Sequence, residues 1–448
     1  MARPPIRRRS GIAALAVILV LVVAQPVAAG AGDVVALSGR LGTNGSVTLR
    51  SSNGTTGTIT LKLTGLKARA RYVAAIYAGT CAKPGPTIVP LPALQATAAG
   101  KIVRTASLTS AQVDGVIRGA LERGGVIFRA TSGARQSCAK LSGTVKRAPK
   151  ITASISLAGT PVAIAVGGGS TWVANLSGEN VIRIDPTTNR VAAFVSLDTD
   201  PATVPYSLAY GEGALWVGSP AFAADGTPAS GSVARIDPSG QVVATIGTGV
   251  PYSIATGFGA VWVADSGGGT LVRIDPQTNA VAATITIGAM PTSVAIGAGA
   301  VWVASSAEGT VTRVDPATNT VTAVIPTGPA YSVAATSRAI WVTSPSGGDA
   351  PIGTLVQIDP ALNQVSGSIA LTGRPVAVAA TDADVWVALD RQSTVVHLDV
   401  ATQRVESLRV QPGPWSLAID GRSVWVAEMG PMSNGQPGGA GSVERIAF

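Results

Sequence analysis

The stretch "AVWVADSGGGTLVRIDPQTNAVAATITIGAMPTSVAIG", Ala260 to Gly297, decides the fold. It contains four short runs rich in β-branched residues: AVWVA, LVRID, VAATI and PTSVA. Each run is bounded by Gly, Pro, Asn or Asp, so the runs read as strands and the boundaries as tight turns. The run around Trp262 is apolar throughout rather than alternating, as a strand covered on both faces must be.

The same unit recurs along the chain. Its tryptophans are Trp172, Trp216, Trp262, Trp302, Trp341, Trp386 and Trp425, spaced 39 to 46 residues apart. Four strands in about 42 residues is the content of one propeller blade, and a fixed period of that length marks a repeat architecture. The expected fold class is all-β, with a seven-bladed β-propeller over residues 151–448. The last unit stops at "SVERIAF" and lacks a fourth strand, while "ITASISLA", Ile151 to Ala158, is an orphan with the fourth-strand pattern. Pairing it beside Gly441 to Ala447 would split one blade between the two ends and leave no blade edge exposed.

The residues "VWVA…VxRIDPxTNxVxATI…G…PxSVA" resemble the YVTN/YncE-like repeats of secreted bacterial propellers, which are related to the virginiamycin B lyase type. The resemblance implies fold and family. It implies little about activity, because propellers host many functions.

Ahead of the repeats, residues 1–29 have the form of a secretory signal. Arg3, Arg7, Arg8 and Arg9 make a basic end, Gly11 to Ala24 an apolar run, and Val27 to Ala29 a small-residue cleavage site. A membrane helix needs about 20 apolar residues, which this run does not reach before Gln25-Pro26. Cleavage is therefore expected over retention as an anchor, and the location is expected to be extracytoplasmic, secreted or attached to the cell envelope.

Charge then divides the chain. Residues 30–150 hold 17 Lys and Arg against Asp33, Asp114 and Glu122, a formal +14. Residues 151–448 hold 12 Arg and no Lys against 21 acids, a formal −9. Two domains with different surfaces are expected: a basic β-sandwich over 30–142, a linker at 143–150, and the propeller. Strand-like runs such as "GTITLKLTGL" and "RYVAAIYAG" fill the basic domain. "TSAQVDGVIRGALERGG" reads as one helix, capped by Thr109 or Ser110 and ended by Gly124-Gly125. The only two cysteines, Cys81 and Cys138, should form a disulfide in an oxidising compartment. The domain loosely resembles sandwiches of the copper-zinc superoxide dismutase-like and chordin-like kind, without the dismutase histidines.

A +14 domain would attract an anionic envelope polymer or acidic lipid headgroups. The other readings are a solvated face, or a surface that docks on the acidic propeller. Nucleic acid is not the expected partner, because no aromatic residues interleave the basic ones.

Within the repeat, most positions read as structural. Seven V-W-V tryptophans cannot all serve one ligand, so they should pack between blades. The "IDP" aspartates Asp185, Asp237, Asp275, Asp315 and Asp359 fit the first position of a turn. The sole histidine, His397, stands where other units place an arginine. The lyase resemblance would require histidine chemistry with a metal ion, and one such His does not rebuild it. No metal or cofactor is expected.

The informative position is x in P-x-S-V-A, which varies while its neighbours repeat. It is Val162, Tyr206, Tyr252, Thr292, Tyr331, Val376 and Trp415 in the seven units. Four large aromatics would face one channel mouth, with Arg374 nearby. The loops after V-W-V-A are expected to bring Asn175, Asp265, Asp390 and Glu428 to the same face. An aromatic pocket with a few polar groups is a default binding site; an apolar channel plug is the alternative. The expected protein is a monomeric, exported, non-enzymatic binding or scaffold protein taking a carbohydrate, peptide or protein at the propeller's top face. The rival is a propeller enzyme of the lyase or quinoprotein-like oxidoreductase type.

Overall fold

A computed structural model describes residues 34–40, 45–51, 56–64, 66–123, 125–132, 135–146, 149–197, 203–222, 228–345, 352–433, 436–437 and 440–448. The signal segment expected at 1–29 lies outside the described residues.

The basic domain contains β1 (Val34–Arg40), β2 (Gly45–Ser51), β3 (Gly57–Leu63), β4 (Arg71–Gly79) and β5 (Pro84–Pro90). It continues with β6 (Leu94–Gln95), β7 (Ile102–Leu108), α1 (Ser110–Glu122), β8 (Val126–Ser132) and β9 (Arg135–Lys146). A sandwich of two sheets was the expectation. The strands instead form one connected sheet in the order β5-β4-β8-β9-β1-β2-β3-β7, with β6 on β4. The reason is the length of β9. Its first half, Arg135 to Leu141, pairs with β8, and its second half, Ser142 to Lys146, pairs with β1. Both halves of the sheet feed one core, in which Leu49, Ile59 and Leu61 meet Ile76 and Phe128.

Helix α1 covers that core with Val113, Val116, Ile117 and Ala120, the i, i+3, i+4, i+7 stripe of an amphipathic helix. Thr109 caps it in a reciprocal capping box with Gln112. The Cys81–Cys138 disulfide joins the loop after β4 to β9, closing a separation of 57 residues. Within the segment expected as a linker at 143–150, β9 runs to Lys146 and β10 (Lys150–Ser156) begins at Lys150.

From β10 onward, seven four-stranded antiparallel sheets follow among the described residues. They are numbered here one to seven by their tryptophans, Trp172 to Trp425. In six of them the strands are consecutive, as in sheet three: Pro251–Gly257, Ala260–Asp265, Thr270–Asp275 and Ala280–Thr286. Sheet seven differs. Its strands Pro414–Asp420, Ser423–Glu428 and Ser442–Ala447 are completed by β10, with Ile155 opposite Val443. The innermost strand of each sheet packs on that of the next, and Pro414–Asp420 of sheet seven packs on Pro161–Gly167 of sheet one.

All seven repeat tryptophans are at most 2% exposed. The indole N–H of Trp172, Trp216, Trp262 and Trp302 donates to Gly167, Gly211, Gly257 and Gly297 O at 2.9–3.2 Å. The arginine of V-x-R-I-D lies over the indole, with Arg313 5.2 Å from the Trp302 ring and Arg445 5.1 Å from Trp425. In four sheets the same arginine then reaches the next sheet, while Arg183 of sheet one donates to Ser170 of its own. Arg235 donates to Pro276 O at 2.7 Å and Asn279 Oδ1 at 2.9 Å, and Arg313 does the same to Pro360 O and Asn363 Oδ1. Arg273 reaches Asn319 Oδ1 at 3.1 Å. Arg445 of sheet seven reaches Pro186 O at 2.7 Å and Asn189 Oδ1 at 3.3 Å in sheet one.

This explains the whole I-D-P-x-T-N string. The Asp carboxylate accepts the amide two residues on, as Asp185 does from Thr187 at 2.8 Å, and that bond holds Asp185 below the usual carboxylate range. The Asn takes a left-handed φ of 52–56° in Asn189, Asn279, Asn319 and Asn363, which that residue tolerates. It then offers its amide oxygen to the neighbour's arginine.

Candidate functional site: a funnel at the centre of the repeats

The innermost strands build the site. In six of the seven sheets the residue before x is proline, which is tolerated at the first position of a strand; in sheet five it is Ala330. In sheets one, three, four, six and seven the pairing register slips between the Pro and the third residue. The x residue there sits in a bulge without a cross-strand partner, and a bulge re-aims a side chain. This is why x is free to differ while the flanking residues repeat.

All seven x residues, Val162, Tyr206, Tyr252, Thr292, Tyr331, Val376 and Trp415, line one cavity of about 220 Å³. The next residues along each strand complete its wall, and none of the lining residues is charged. The aromatics touch one another. Tyr206 and Tyr252 lie with ring centroids 4.8 Å apart, and the Tyr206 hydroxyl donates to Tyr252 Oη at 2.9 Å. Tyr252 and Tyr331 bring their hydroxyls to 3.4 Å across the short Thr292. Tyr331 meets Trp415 edge-on at 6.3 Å. Thr292 turns its own hydroxyl to Tyr331 O at 2.8 Å. Burial pushes the phenols of Tyr206 and Tyr331 up, so both stay neutral donors.

The serines of P-x-S tie sheet to sheet. Ser253, Ser293 and Ser332 Oγ accept the N–H of Val294, Val333 and Val378 in the following sheet at 3.1–3.3 Å. Ser416 Oγ in sheet seven accepts Ile164 N in sheet one at 3.3 Å. Reading for variation passed over these serines, although their recurrence in five of the seven units was the available signal.

The charged candidates fall elsewhere. Arg374 and Asp390 pair with each other at 3.5 Å, close enough to Tyr331 to act on its titration, but neither lines the cavity. Burial raises the Asp390 carboxyl, against the pull of Arg374. Asn175, Asp265 and Glu428 are corrected more sharply. They end the second strand of their sheets, under the connection arriving from the preceding sheet, and are buried. Asp265 Oδ1 accepts Val250 N at 2.8 Å and Gly268 N at 3.1 Å, while Oδ2 accepts the Thr270 hydroxyl. Asn175 accepts Thr160 N at 2.9 Å and donates to Ala158 O at 3.1 Å. Both bond the connection's own polar groups and close the loop on itself.

Glu428 is 0% exposed and lies beside Glu444, itself 3% exposed, with the Ser442 hydroxyl donating to Glu428 Oε2. Burial pushes its carboxyl up to about 9; Ser442 opposes the shift and Glu444 adds to it. Position 444 corresponds to Ile182, Val272 and Val396 in other sheets, all apolar and buried.

His397 is also outside the cavity lining. Its ring stacks on Trp386 at 4.3 Å, and Nε2 meets Asp384 Oδ1 at 2.7 Å. Burial pulls the imidazole down, but the hydrogen bond to Asp384 and the Glu406 carboxylate 3.8 Å from Nδ1 outweigh it and hold it above its ordinary value. It does the packing work of the arginine it replaces. Among the described residues there is no group of three or more His, Cys, Asp or Glu placed to hold a metal ion.

No protein-family model matches the sequence, and no curated protein matches it. Solved structures do. A chain of the mitotic checkpoint complex aligns with TM-score 0.54 and 10% identity over 66% of this chain and 94% of the other. The WD40 domain of Neurospora crassa Pan2 aligns with TM-score 0.52 and 9% identity over 67% and 95%. Hydrazine synthase of Kuenenia stuttgartiensis aligns with TM-score 0.51 and 19% identity over 60% and 93%. At such identities the likeness is one of fold: this is an all-β protein of repeated four-stranded sheets, similar to β-propeller and WD40 proteins.

Proposed function

We propose that the chain is an exported binding protein whose seven sheets form a seven-bladed propeller, with one blade split between β10 and the C-terminal strands. The ligand sits in the aromatic funnel. The observation that carries this is the convergence of all seven x residues on one cavity, partly closed by a mutually hydrogen-bonded tyrosine cluster. The basic domain, a formal +14 over residues 30–150, holds the protein near an anionic envelope polymer or lipid headgroups. A histidine-dependent lyase fits less well, because His397 packs on Trp386 and away from the funnel.

The test is a glycan, peptide and envelope-polymer binding screen on the wild type and on Tyr252→Ala/Trp415→Ala. The double variant is expected to lose ligand binding at least tenfold while keeping attraction to anionic polymers. Unchanged ligand binding would remove the funnel from the account. Turnover of a cyclic depsipeptide that disappears in His397→Ala would replace it with the lyase reading.

A further inference from the structure

The funnel wall is two-sided, and the two sides differ in chemistry. Sheets two to five contribute Tyr206, Tyr252, Thr292 and Tyr331, each followed by a serine. Sheets six, seven and one, which adjoin one another, contribute Val376-Ala377, Trp415-Ser416 and Val162-Ala163. One arc therefore carries a hydroxyl at both positions in all four of its sheets, beside the apolar Leu208, Ile254 and Val333. The other is mostly aliphatic, with a partly buried indole and the Ser416 hydroxyl in the middle of it.

The hydroxyl arc has protons to give. Ser253, Ser293 and Ser332 use their oxygens to accept backbone N–H groups, and a hydroxyl that accepts still has its own proton to donate. Within the tyrosine cluster the Tyr206 hydroxyl donates to Tyr252, and one further hydrogen bond joins Tyr252 to Tyr331. Two bonds among three phenols leave one O–H over. With no charged group in the lining, these donors and lone pairs are neutral.

A cavity of about 220 Å³ lies below the roughly 300–1,000 Å³ of sites for drug-sized ligands, so it suits a single ring rather than a chain segment. We infer that this funnel binds the end ring of a neutral carbohydrate, a pyranose held between the two arcs. A pyranose has the matching asymmetry: one face of C–H groups for the Trp415 side, and a rim of hydroxyls for the tyrosine–serine arc. An uncharged peptide segment would bring one N–H and one C=O per residue but no rim of hydroxyls, and so fewer partners for the serine and tyrosine hydroxyls. Uronic acids and sugar phosphates are disfavoured, because their charge would be desolvated with no counter-charge in the lining.

This inference rests on the funnel being the ligand site, and the experiment separates the two. Neutral methyl pyranosides and disaccharides, glucuronic acid, glucose 6-phosphate and end-capped dipeptides are each titrated against the full chain by ligand-observed NMR. The variants are Tyr252→Phe, which keeps the ring and removes the central hydroxyl, and Trp415→Leu; thermal unfolding checks that both fold. The expected result is binding of at least one neutral sugar. Glucuronic acid and glucose 6-phosphate should bind at least tenfold more weakly, and both variants should lose the neutral sugar by tenfold or more. If capped dipeptides bind and Trp415→Leu abolishes that binding while no neutral sugar binds, the funnel stands and the carbohydrate assignment falls. If the acidic sugars bind best, the assignment falls likewise. Sugar binding that neither variant alters would overturn both.

Discussion

Trp302→Ala is expected to destabilise the repeats by roughly 3–5 kcal/mol, as truncation of a core tryptophan does. The Trp302 side chain is 0% exposed, its N–H donates to Gly297 O at 2.9 Å, and Arg313 lies 5.2 Å above its ring. Truncation opens a cavity between sheets and orphans that carbonyl. It also removes the surface that positions Arg313 for Pro360 and Asn363 of the next sheet. Trp415→Ala removes a partly buried indole that already borders a cavity, so its cost should be clearly smaller, under about 2 kcal/mol by the same cavity reasoning. Urea unfolding of the two variants measures the difference. Equal losses would show that the funnel tryptophan is as structural as the repeated ones.

The second large effect concerns Glu428. Its native carboxyl is pushed up to about 9 from an ordinary 4.5, chiefly by burial, with Glu444 adding to the shift. Below pH 4.5 both the folded and the unfolded chain hold the proton, and the group's contribution to stability is fully present. Between 4.5 and about 9 the unfolded chain releases the proton and the native one keeps it. Stability then falls as pH rises, by about 1.4 kcal/mol per pH unit at the steepest. Glu428→Gln keeps an oxygen for the Ser442 hydroxyl and offers an N–H to Glu444, without titrating. The variant should match the wild type near pH 4 and exceed it by several kcal/mol at pH 8, read as a growing gap between urea midpoints. Parallel midpoints across that range would mean that the folded chain does not hold the proton of Glu428.

The repeat and its strand content were legible because strand and turn chemistry is local: Val, Ile and Trp runs with D-P and G-rich boundaries name themselves. Position x was legible for a different reason, since a bulged residue escapes the cross-strand constraint that keeps its neighbours constant. The polar ends of the second strands were not legible. Nothing local distinguishes an Asp that meets solvent from one, like Asp265, whose carboxylate is consumed by Val250 and Gly268 amides. The Glu428–Glu444 contact needs two strands side by side, and only their pairing reveals it. In the basic domain, strand runs and the helix cap could be read, but not that the 12-residue β9 would join both halves into one sheet. The Arg–Asn link between sheets was visible only as two separate recurrences some 45 residues apart.

That link is missing on both sides of sheet six. Its predecessor places Gln357, not arginine, opposite Trp341, and its own turn reads Asp399-Val400-Ala401-Thr402-Gln403, without the proline and asparagine an arginine would grip. On its other side His397 replaces the arginine, its ring 4.3 Å from Trp386 and 5.9 Å from Phe448. Sheets two to five, by contrast, are bolted in series by Arg235, Arg273 and Arg313. Cooperativity around the series is therefore uneven. Sheet six, tied to sheet five through Ser332–Val378 and Ser337–Asp382 hydrogen bonds rather than through an arginine clamp, is expected to exchange its amides before the clamped sheets do.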